Sequence, residues 1–150
     1  MEKIYFLCGI QGSGKSTFAK NHYQQYNANI ISSDQIRKEN KIEEKDVFPT
    51  AYKLIVYSIN NGNNVIFDAT NIDIKSRKIN MDSIKNLLSQ EVEFICICLI
   101  TNKEICKQRV EKRNKLNNEI YLPLEVIDKY ESLYQEPTLE EGFNEIIFVK

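Results

Sequence analysis

The stretch "CGIQGSGKST", residues 8–17, decides the fold. Gly9, Gly14, Lys15 and Ser16 satisfy the pattern G-x-x-x-x-G-K-[ST], in which a glycine-rich loop directs backbone N–H groups at phosphate oxygens. The apolar run "KIYFLC" precedes the loop, and a segment with helical spacing follows it. A loop of this kind between a strand and a helix predicts a site for the phosphates of ATP or GTP.

Each position of the loop has a chemical reason. Glycines let the backbone curl without a side chain blocking the anion, and the helix behind the loop directs its partial positive charge at the phosphates. Lys15 adds a full charge near the β and γ phosphates, and the Ser16 hydroxyl can ligate Mg²⁺. The nucleotide is therefore expected to contact Gly12, Ser13, Gly14, Lys15, Ser16 and Thr17.

The composition limits the class of protein. The 150 residues suit a single domain, 1–150, and 42% apolar with 27% charged residues are typical of a globular chain. A net charge of −1 disfavours binding along extended nucleic acid. The longest apolar runs fall short of the ~20 residues of a membrane span, so we expect no membrane partner and a cytoplasmic location. No base-reading motif separates ATP from GTP.

Short apolar runs alternate with longer periodic segments along the chain. This alternation predicts an α/β fold with a parallel sheet and right-handed crossovers. The predicted strands are 3–8, 28–33, 63–68, 92–100 and 145–149. The predicted helices are 15–26, 48–61, 72–90, 102–114 and 123–135, with a mobile loop at 114–122 and a turn-rich connection at 136–143.

The second strand ends in "NIISSDQIR", which places Asp34 and Arg37 at the carboxyl edge of the sheet, where ligands bind in open α/β folds. A carboxylate at this position can accept the proton of an attacking hydroxyl or hold a metal-bound water. Arg37, one helical turn further on, suits bidentate contact with a phosphate or carboxylate of an acceptor. The alternative is that Asp34 caps a helix and Arg37 is a surface charge.

The third strand ends in "VIFDATN", and Asp68 closes its apolar run as a carboxylate that supports Mg²⁺ through water would. Thr70, Asn71 and Arg77 follow at the start of the next helix and are candidates for substrate binding. The alternative is a plain strand end followed by a helix cap at Asn71 or Asp73.

The segment from 101 to 118 is the most basic part of the chain, with six basic and two acidic residues. Arg109 and Arg113 are spaced i, i+4 and share one face of the predicted helix. Mobile arginines that close over a transferring phosphoryl group would stabilise its negative charge. A solvated, charged helix face explains the same pattern.

Together these segments resemble the kinase domain of the polynucleotide 5′-kinase family. The matching elements occur in the family's order and span nearly the whole chain: "GIQGSGKST", "ISSDQIR", "FDATNIDIKSR", "QRVEKRN" and "PLEVIDKY…EPTLEEGF". The phosphate loop alone is shared by many classes of protein. The D-x-x-R after strand two, followed by D-x-T-N and a downstream arginine, is far more specific.

The resemblance implies a fold and a reaction. The fold is a P-loop kinase whose five-stranded parallel sheet has the order 2-3-1-4-5, flanked by helices and covered by a helical and loop lid. The reaction is transfer of the γ-phosphate of ATP to the 5′-hydroxyl of a DNA or RNA end, with Mg²⁺ as cofactor. By resemblance, Asp34 would be the general base, Arg37 would bind the acceptor's 3′-phosphate, and Lys15, Arg109 and Arg113 would serve the donor phosphates.

Two other functions stay open at this point. P-loop kinases of similar fold phosphorylate small molecules or nucleosides, and the near-neutral charge of this chain weakens the case for a long polynucleotide acceptor. A nucleotide-dependent switch or binding module needs no acceptor, whereas the sequence contains an acceptor-site pair and a basic lid. Members of the family often carry a second repair domain on the same chain. This sequence ends at residue 150 after the kinase-like region, so we expect a repair role to need separate repair enzymes as partners.

Overall fold

A computed structural model of the chain describes residues 1–116 and 119–150. The strands are β1 (Lys3–Cys8), β2 (Ala28–Ser32), β3 (Asn64–Asp68), β4 (Glu93–Leu99) and β5 (Glu145–Val149). The α-helices are α1 (Lys15–His22), α2 (Ser33–Asn40), α3 (Glu44–Asn60), α4 (Ile74–Leu87), α5 (Lys103–Asn114) and α6 (Glu125–Leu133), and a short 3₁₀ helix spans Leu139–Glu141.

The five strands form one parallel sheet in the order β2-β3-β1-β4-β5. This is the order that the family resemblance implies, and each strand agrees with its sequence prediction to within one residue at either end. The register aligns the carboxyl ends of the strands: Ser32 lies opposite Asp68, and Cys8 lies opposite Cys98. The residues that follow β1, β2 and β3 therefore meet at one edge of the sheet.

The core lies on both faces of the sheet. On one face, Phe6 packs edge-on against the rings of Phe67, Phe94 and Phe143, beneath α3 and α4. On the other face, α1 covers the opposite side chains of β1 and β4. A third apolar cluster joins the phosphate loop to α5 and α6. All four cysteines are buried free thiols, and none of the helices in residues 1–116 and 119–150 is long and apolar enough to cross a membrane.

Two local differences from the sequence prediction bear on the site. Helix α2 was not among the predicted helices, because it is only eight residues long and Ile36 is its single buried apolar residue. Helix α3 begins at Glu44 instead of residue 48, so Pro49 lies within the helix although proline favours the first helical position. Part of the loop predicted at 114–122, residues 117 and 118, lies outside the described residues.

Candidate active site

The phosphate loop turns sharply between β1 and α1. Gly12 and Gly14 adopt positive φ angles of 81° and 99°, which favour glycine. A Cβ atom on Gly12 would lie 2.5 Å from the carbonyl oxygen of Cys106, so the loop packs directly against the backbone of α5. The loop residues 12–17 line the cleft at the start of α1.

Lys15 bends back over its own loop. Its Nζ donates hydrogen bonds to the carbonyl oxygens of Gly9 at 2.9 Å and Ile10 at 3.1 Å. Burial lowers the pKa of Lys15 below its ordinary value, and the negative charges of Asp68 and Asp34 act in the opposite direction. The ammonium group is thus held at the base of the loop with two carboxylates in its electrostatic range.

Asp68 lies at the end of β3, directly beside the loop. The Ser16 hydroxyl donates a hydrogen bond to Asp68 Oδ2 at 2.8 Å, and only 6% of Asp68 is exposed. Burial raises the pKa of Asp68 above its ordinary value, while Lys15 and Ser16 lower it. A hydroxyl and a carboxylate at this distance are the oxygen ligands that Mg²⁺ prefers, so this pair fits a Mg²⁺ site.

The rest of a Mg²⁺ coordination shell would come from elsewhere. Residues 1–116 and 119–150 contain no cluster of three or more histidine, cysteine, aspartate or glutamate side chains that could hold a metal ion. Mg²⁺ usually binds through one or two protein ligands, water and substrate phosphates. The Ser16–Asp68 pair is therefore suited to a metal ion that arrives with a nucleotide.

Asp34 and Arg37 lie together at the start of α2. The Ser32 hydroxyl caps this helix by accepting a hydrogen bond from the Gln35 N–H, so Asp34 is free of the capping role that was its alternative. Arg37 Nη1 donates to Asp34 Oδ1 at 2.7 Å. Arg37 also donates from Nε and Nη2 to the Glu44 carboxylate, and this contact raises the pKa of Arg37 and lowers that of Glu44.

Arg109 and Arg113 approach the loop from α5. Arg109 Nη1 donates to the Gly12 carbonyl oxygen at 3.1 Å. Arg113 lies one turn further along α5, close enough to the site that its charge lowers the pKa of both Lys15 and Asp68. The two arginines therefore bring positive charge from α5 to the cavity.

These groups line one open cavity of about 1200 Å³. The predicted site residues that the structure brings together in its wall are Gly12, Ser13, Gly14, Lys15, Ser16, Thr17, Asp34, Arg37, Asp68, Thr70, Asn71, Arg109 and Arg113. Asp34 thus shares a cleft with the phosphate loop. The volume is large enough for a nucleotide and a second ligand, since typical ligand pockets measure ~300–1,000 Å³.

The position of Arg77 corrects the sequence prediction that this residue binds the substrate. Its side chain is 1% exposed and does not line the cavity. Its N–H groups donate to the Glu141 carboxylate, the Asn71 and Gln135 carbonyl oxygens, and the Cys8 sulfur. The guanidinium is fully engaged in holding the start of α4 against the segment before β5.

Asn71 reaches the cavity wall, but its amide group makes internal contacts. Its Nδ2 donates to the Leu7 carbonyl oxygen at 3.0 Å, and its Oδ1 accepts from Asn80 Nδ2 at 2.7 Å. Its φ of 46° lies in the left-handed region, which asparagine tolerates. These contacts fix the turn between β3 and α4, so the substrate-binding prediction for Asn71 is not supported by its side-chain geometry. Asp73, the other capping candidate, accepts from the Ser76 N–H and caps α4.

Sequence reasoning missed three residues that line the cavity: Glu44, Phe48 and Tyr52. All three lie on α3, whose first turn precedes the predicted helix start. Phe48 lies beside Arg37, with the guanidinium carbon 5.9 Å from the ring centre. The i, i+4 spacing of the two aromatic residues was the available signal, but it is equally typical of core packing.

The chain matches a known family over most of its length. The family described as an AAA domain (AAA_33) matches residues 4–137. Among curated proteins, the "Bifunctional polynucleotide phosphatase/kinase" of Schizosaccharomyces pombe is 26% identical over 145 residues, which are 97% of this chain. The match covers 33% of that protein, so the chain spans about a third of the length of this relative.

Solved structures share the fold. A chain in the structure titled "Structure of the Pnkp1/Rnl/Hen1 RNA repair complex" has a TM-score of 0.73 at 23% identity, covering 88% of this chain and 43% of that one. A fungal RNA kinase has a TM-score of 0.72 at 18% identity, covering 99% and 74%. A sugar kinase from Janibacter sp. HTCC2649 has a TM-score of 0.68 at 14% identity, covering 99% and 85%.

At these identities the structural likeness shows the fold alone, and it includes kinases for different acceptors. The family match covers far more than half of the chain and includes the phosphate loop, Asp34, Asp68 and both cavity-lining arginines of α5. The chain belongs to the AAA_33 family, and it is a kinase-like P-loop nucleotide-binding domain homologous to polynucleotide kinase/phosphatase.

Proposed function

We propose that the chain transfers the γ-phosphate of ATP to the 5′-hydroxyl of a DNA or RNA end. The observation that carries the proposal is the position of Asp34 in the wall of the same cavity as the phosphate loop. Burial lowers the pKa of Lys15, and the Asp34 charge acts against this shift, so the two groups lie within electrostatic range of each other. A carboxylate across the cleft from a bound triphosphate is what a phosphotransferase needs beside its acceptor.

On the donor side, the loop and three cations would hold the triphosphate. Lys15, Arg109 and Arg113 supply positive charge around the loop, where negative charge spreads over the moving phosphoryl group. Ser16 and Asp68 would hold Mg²⁺. When bound, that ion neutralises phosphate charge.

On the acceptor side, Asp34 would accept the proton of the hydroxyl as its oxygen bonds to the γ-phosphorus. The bond from that phosphorus to the oxygen bridging the β-phosphate breaks, and ADP leaves. Arg37 donates to Asp34 at 2.7 Å and so fixes the orientation of the carboxylate. The same guanidinium would contact a phosphate of the acceptor.

The choice of a nucleic acid end as acceptor has support from the sequence. The relative that is 26% identical over 97% of this chain is named for polynucleotide phosphatase and kinase activities. The D-x-x-R and D-x-T-N motifs lie in the same cavity wall. We therefore assign the reaction to nucleic acid end repair, with other repair enzymes as partners.

A second candidate is a kinase for an uncharged small-molecule or nucleoside hydroxyl. One observation favours it: Arg37, the cation beside the base, already contacts the carboxylates of Asp34 and Glu44. The two carboxylates outnumber the one guanidinium, and their excess negative charge would repel a phosphate. This arrangement therefore suits an acceptor without a phosphate near its reactive hydroxyl.

The experiment that tests the proposal is a transfer assay with γ-labelled ATP and Mg²⁺. A 5′-hydroxyl oligonucleotide, a nucleoside 3′-phosphate, free nucleosides and simple sugars are offered in parallel, and γ-labelled GTP replaces ATP in a second series. Label on the oligonucleotide supports the proposal. Label only on nucleosides or sugars supports the second candidate, and release of free phosphate with every acceptor favours a nucleotide-dependent switch.

A further inference from the structure

Two buried polar atoms of the phosphate loop have no hydrogen-bond partner within residues 1–116 and 119–150. They are Gln11 Oε1 and Ser13 Oγ, and the other buried side-chain oxygens and nitrogens of these ranges are all paired. An unpaired buried acceptor destabilises the folded state, so native proteins contain few of them. Both exceptions lie in one loop of the site, where a polar group can be retained for a ligand.

The Ser13 hydroxyl packs within the loop itself. Ser13 is 5% exposed. A Cβ atom on Gly9 would lie 2.5 Å from Ser13 Oγ and 3.2 Å from the Leu99 carbonyl oxygen. Thr101 Oγ1 also donates to the Ser13 carbonyl oxygen at 3.0 Å and holds the residue in place. This packing leaves Gln11, which is only half-buried, as the candidate for a ligand contact.

Gln11 lies at the tip of the phosphate loop. The Ser13 N–H donates to the Ile10 carbonyl oxygen at 3.1 Å, so residues 10–13 form a β-turn with Gln11 second and Gly12 third. The φ of 81° at Gly12 is the positive value that the third position of a type II turn requires. The turn therefore fixes the backbone at Gln11, and the side chain of this residue lines the cavity.

The tip of the loop lies beside the lysine of the motif. Lys15 Nζ donates at 3.1 Å to the Ile10 carbonyl oxygen, which belongs to the peptide group that joins Ile10 to Gln11. A lysine at this position of the motif reaches the β and γ phosphates of a bound nucleotide. The Gln11 side chain thus starts next to the cation that would contact the γ-phosphate.

The carboxamide of Gln11 has the chemistry to bind a phosphoryl oxygen. Its NH₂ group carries two donors, whereas phosphate oxygens accept hydrogen bonds. Turning the side chain toward a phosphate would also take Oε1 out of its unpaired position. A neutral amide adds a directed hydrogen bond to the charge that the surrounding cations supply.

We infer that Gln11 is a further residue of the donor site, and that its side-chain amide donates a hydrogen bond to the γ-phosphoryl group of the bound nucleotide. The inference rests on the donor half of the proposed function, since it requires a triphosphate in the loop. The loop motif acts through backbone N–H groups and leaves the residue type at this position open. A side-chain contact from Gln11 therefore goes beyond what the motif provides.

The test compares the affinities for ATP and ADP, each with Mg²⁺ and without an acceptor, by calorimetric titration. Gln11→Met keeps the length of the side chain and removes its hydrogen-bonding atoms. We expect the Kd for ATP to rise at least about tenfold, as for a lost hydrogen bond to a charged group, and the Kd for ADP to stay within about twofold of the wild-type value. Retained ADP binding would show that the loop is intact. Equal changes for both nucleotides, or no change for either, would overturn the inference.

Two further variants sharpen the comparison. Gln11→Glu keeps the shape of the side chain but places a carboxylate beside the γ-phosphate, so we expect a larger rise in the Kd for ATP than in Gln11→Met. Gln25→Met makes the matched change on an exposed residue after α1, outside the cavity, and should leave both Kd values unchanged. Wild-type affinity for ATP in Gln11→Glu would contradict the contact.

Urea unfolding separates a binding role from a structural one. Gln11 Oε1 has no partner to lose in the described part of the chain, so an apolar side chain of similar size should leave the midpoint of unfolding unchanged or higher. A lower midpoint for Gln11→Met, with equal effects on ATP and ADP, would assign Gln11 to the fold and overturn the inference.

The failure of this inference and that of the proposed function give different results. If no 5′-hydroxyl oligonucleotide receives label, while Gln11→Met still weakens ATP more than ADP, the proposed function falls and the inference stands. If the oligonucleotide receives label, while Gln11→Met changes both Kd values equally, the inference falls and the proposed function stands.

Discussion

Arg37 and Arg77 carry the same guanidinium group in different surroundings. Arg37 is 27% exposed, lines the cavity and is held between Asp34 and Glu44. Arg77 is 1% exposed and pairs with Glu141, which is itself only 8% exposed. A buried ion pair has a large desolvation cost, so removing one partner leaves an uncompensated buried charge. Arg77 therefore stabilises the fold, whereas Arg37 lines the cavity and can contact a ligand.

At this scale we predict that Arg77→Met destabilises the fold. The expected loss is about 3–5 kcal/mol in the free energy of unfolding, because Glu141 loses its partner. Urea denaturation followed by circular dichroism measures it. Lys78→Ala is the matched control on the next residue of α4, since Lys78 forms an exposed pair with Asp82. The double variant Arg77→Met/Glu141→Gln should recover part of the loss, and a loss below about 1 kcal/mol for Arg77→Met would contradict the assignment.

The phosphate loop and α5 form one unit of the site at the scale of elements. Gly12 lies against the Cys106 backbone, and Arg109 donates to the Gly12 carbonyl oxygen. The third apolar cluster, which includes Ile10, Cys106 and Val110, lies directly beneath this contact. The position of α5 therefore sets both the shape of the loop and the placement of its two arginines.

Two glycines with nearly the same φ angle test this packing. Gly12 and Gly62 have φ angles of 81° and 82°, but a Cβ atom on Gly62 would meet nothing within 4 Å. Gly62→Ala should cost about 1 kcal/mol from the backbone conformation alone. Gly12→Ala adds a clash with a backbone oxygen and should cost at least about 2 kcal/mol more, together with loss of nucleotide binding. Urea unfolding and calorimetric titration with ATP measure the two effects, and equal costs for both variants would show that the loop does not pack on α5 as described.

At the scale of the whole molecule, the strand order brings the site residues together. Residues following β1, β2 and β3 meet because these strands are neighbours. Apolar runs in the sequence were sufficient to predict the strands, and the family resemblance predicted their order. Other features depend on contacts that no local sequence pattern marks. Arg77 was misassigned because its partner Glu141 lies 64 residues away, and Glu44 was missed because nothing local marks it as the partner of Arg37.

Nucleotide binding should stabilise the whole folded molecule. A ligand that binds only the folded state at about 100 times its Kd stabilises it by about 2.7 kcal/mol. We expect ATP with Mg²⁺ to raise the thermal unfolding temperature of the wild type, because the loop and its surrounding cations exist only in the folded chain. Lys15→Met should abolish this shift. Lys20→Met, on the exposed surface of α1 outside the cavity, should keep it, and equal shifts in the two variants would contradict the donor site.

The central claim is that Asp34 serves as the base of a phosphoryl transfer across the shared cleft, and Asp34→Asn tests it most directly. The measurement is the rate of label transfer from γ-labelled ATP to a 5′-hydroxyl oligonucleotide, with Asp46→Asn as the matched control on the exposed first turn of α3. We predict a loss of at least about 10²-fold for Asp34→Asn, wild-type transfer for Asp46→Asn, and unchanged stabilisation by ATP in both. Transfer at the wild-type rate by Asp34→Asn would contradict the claim.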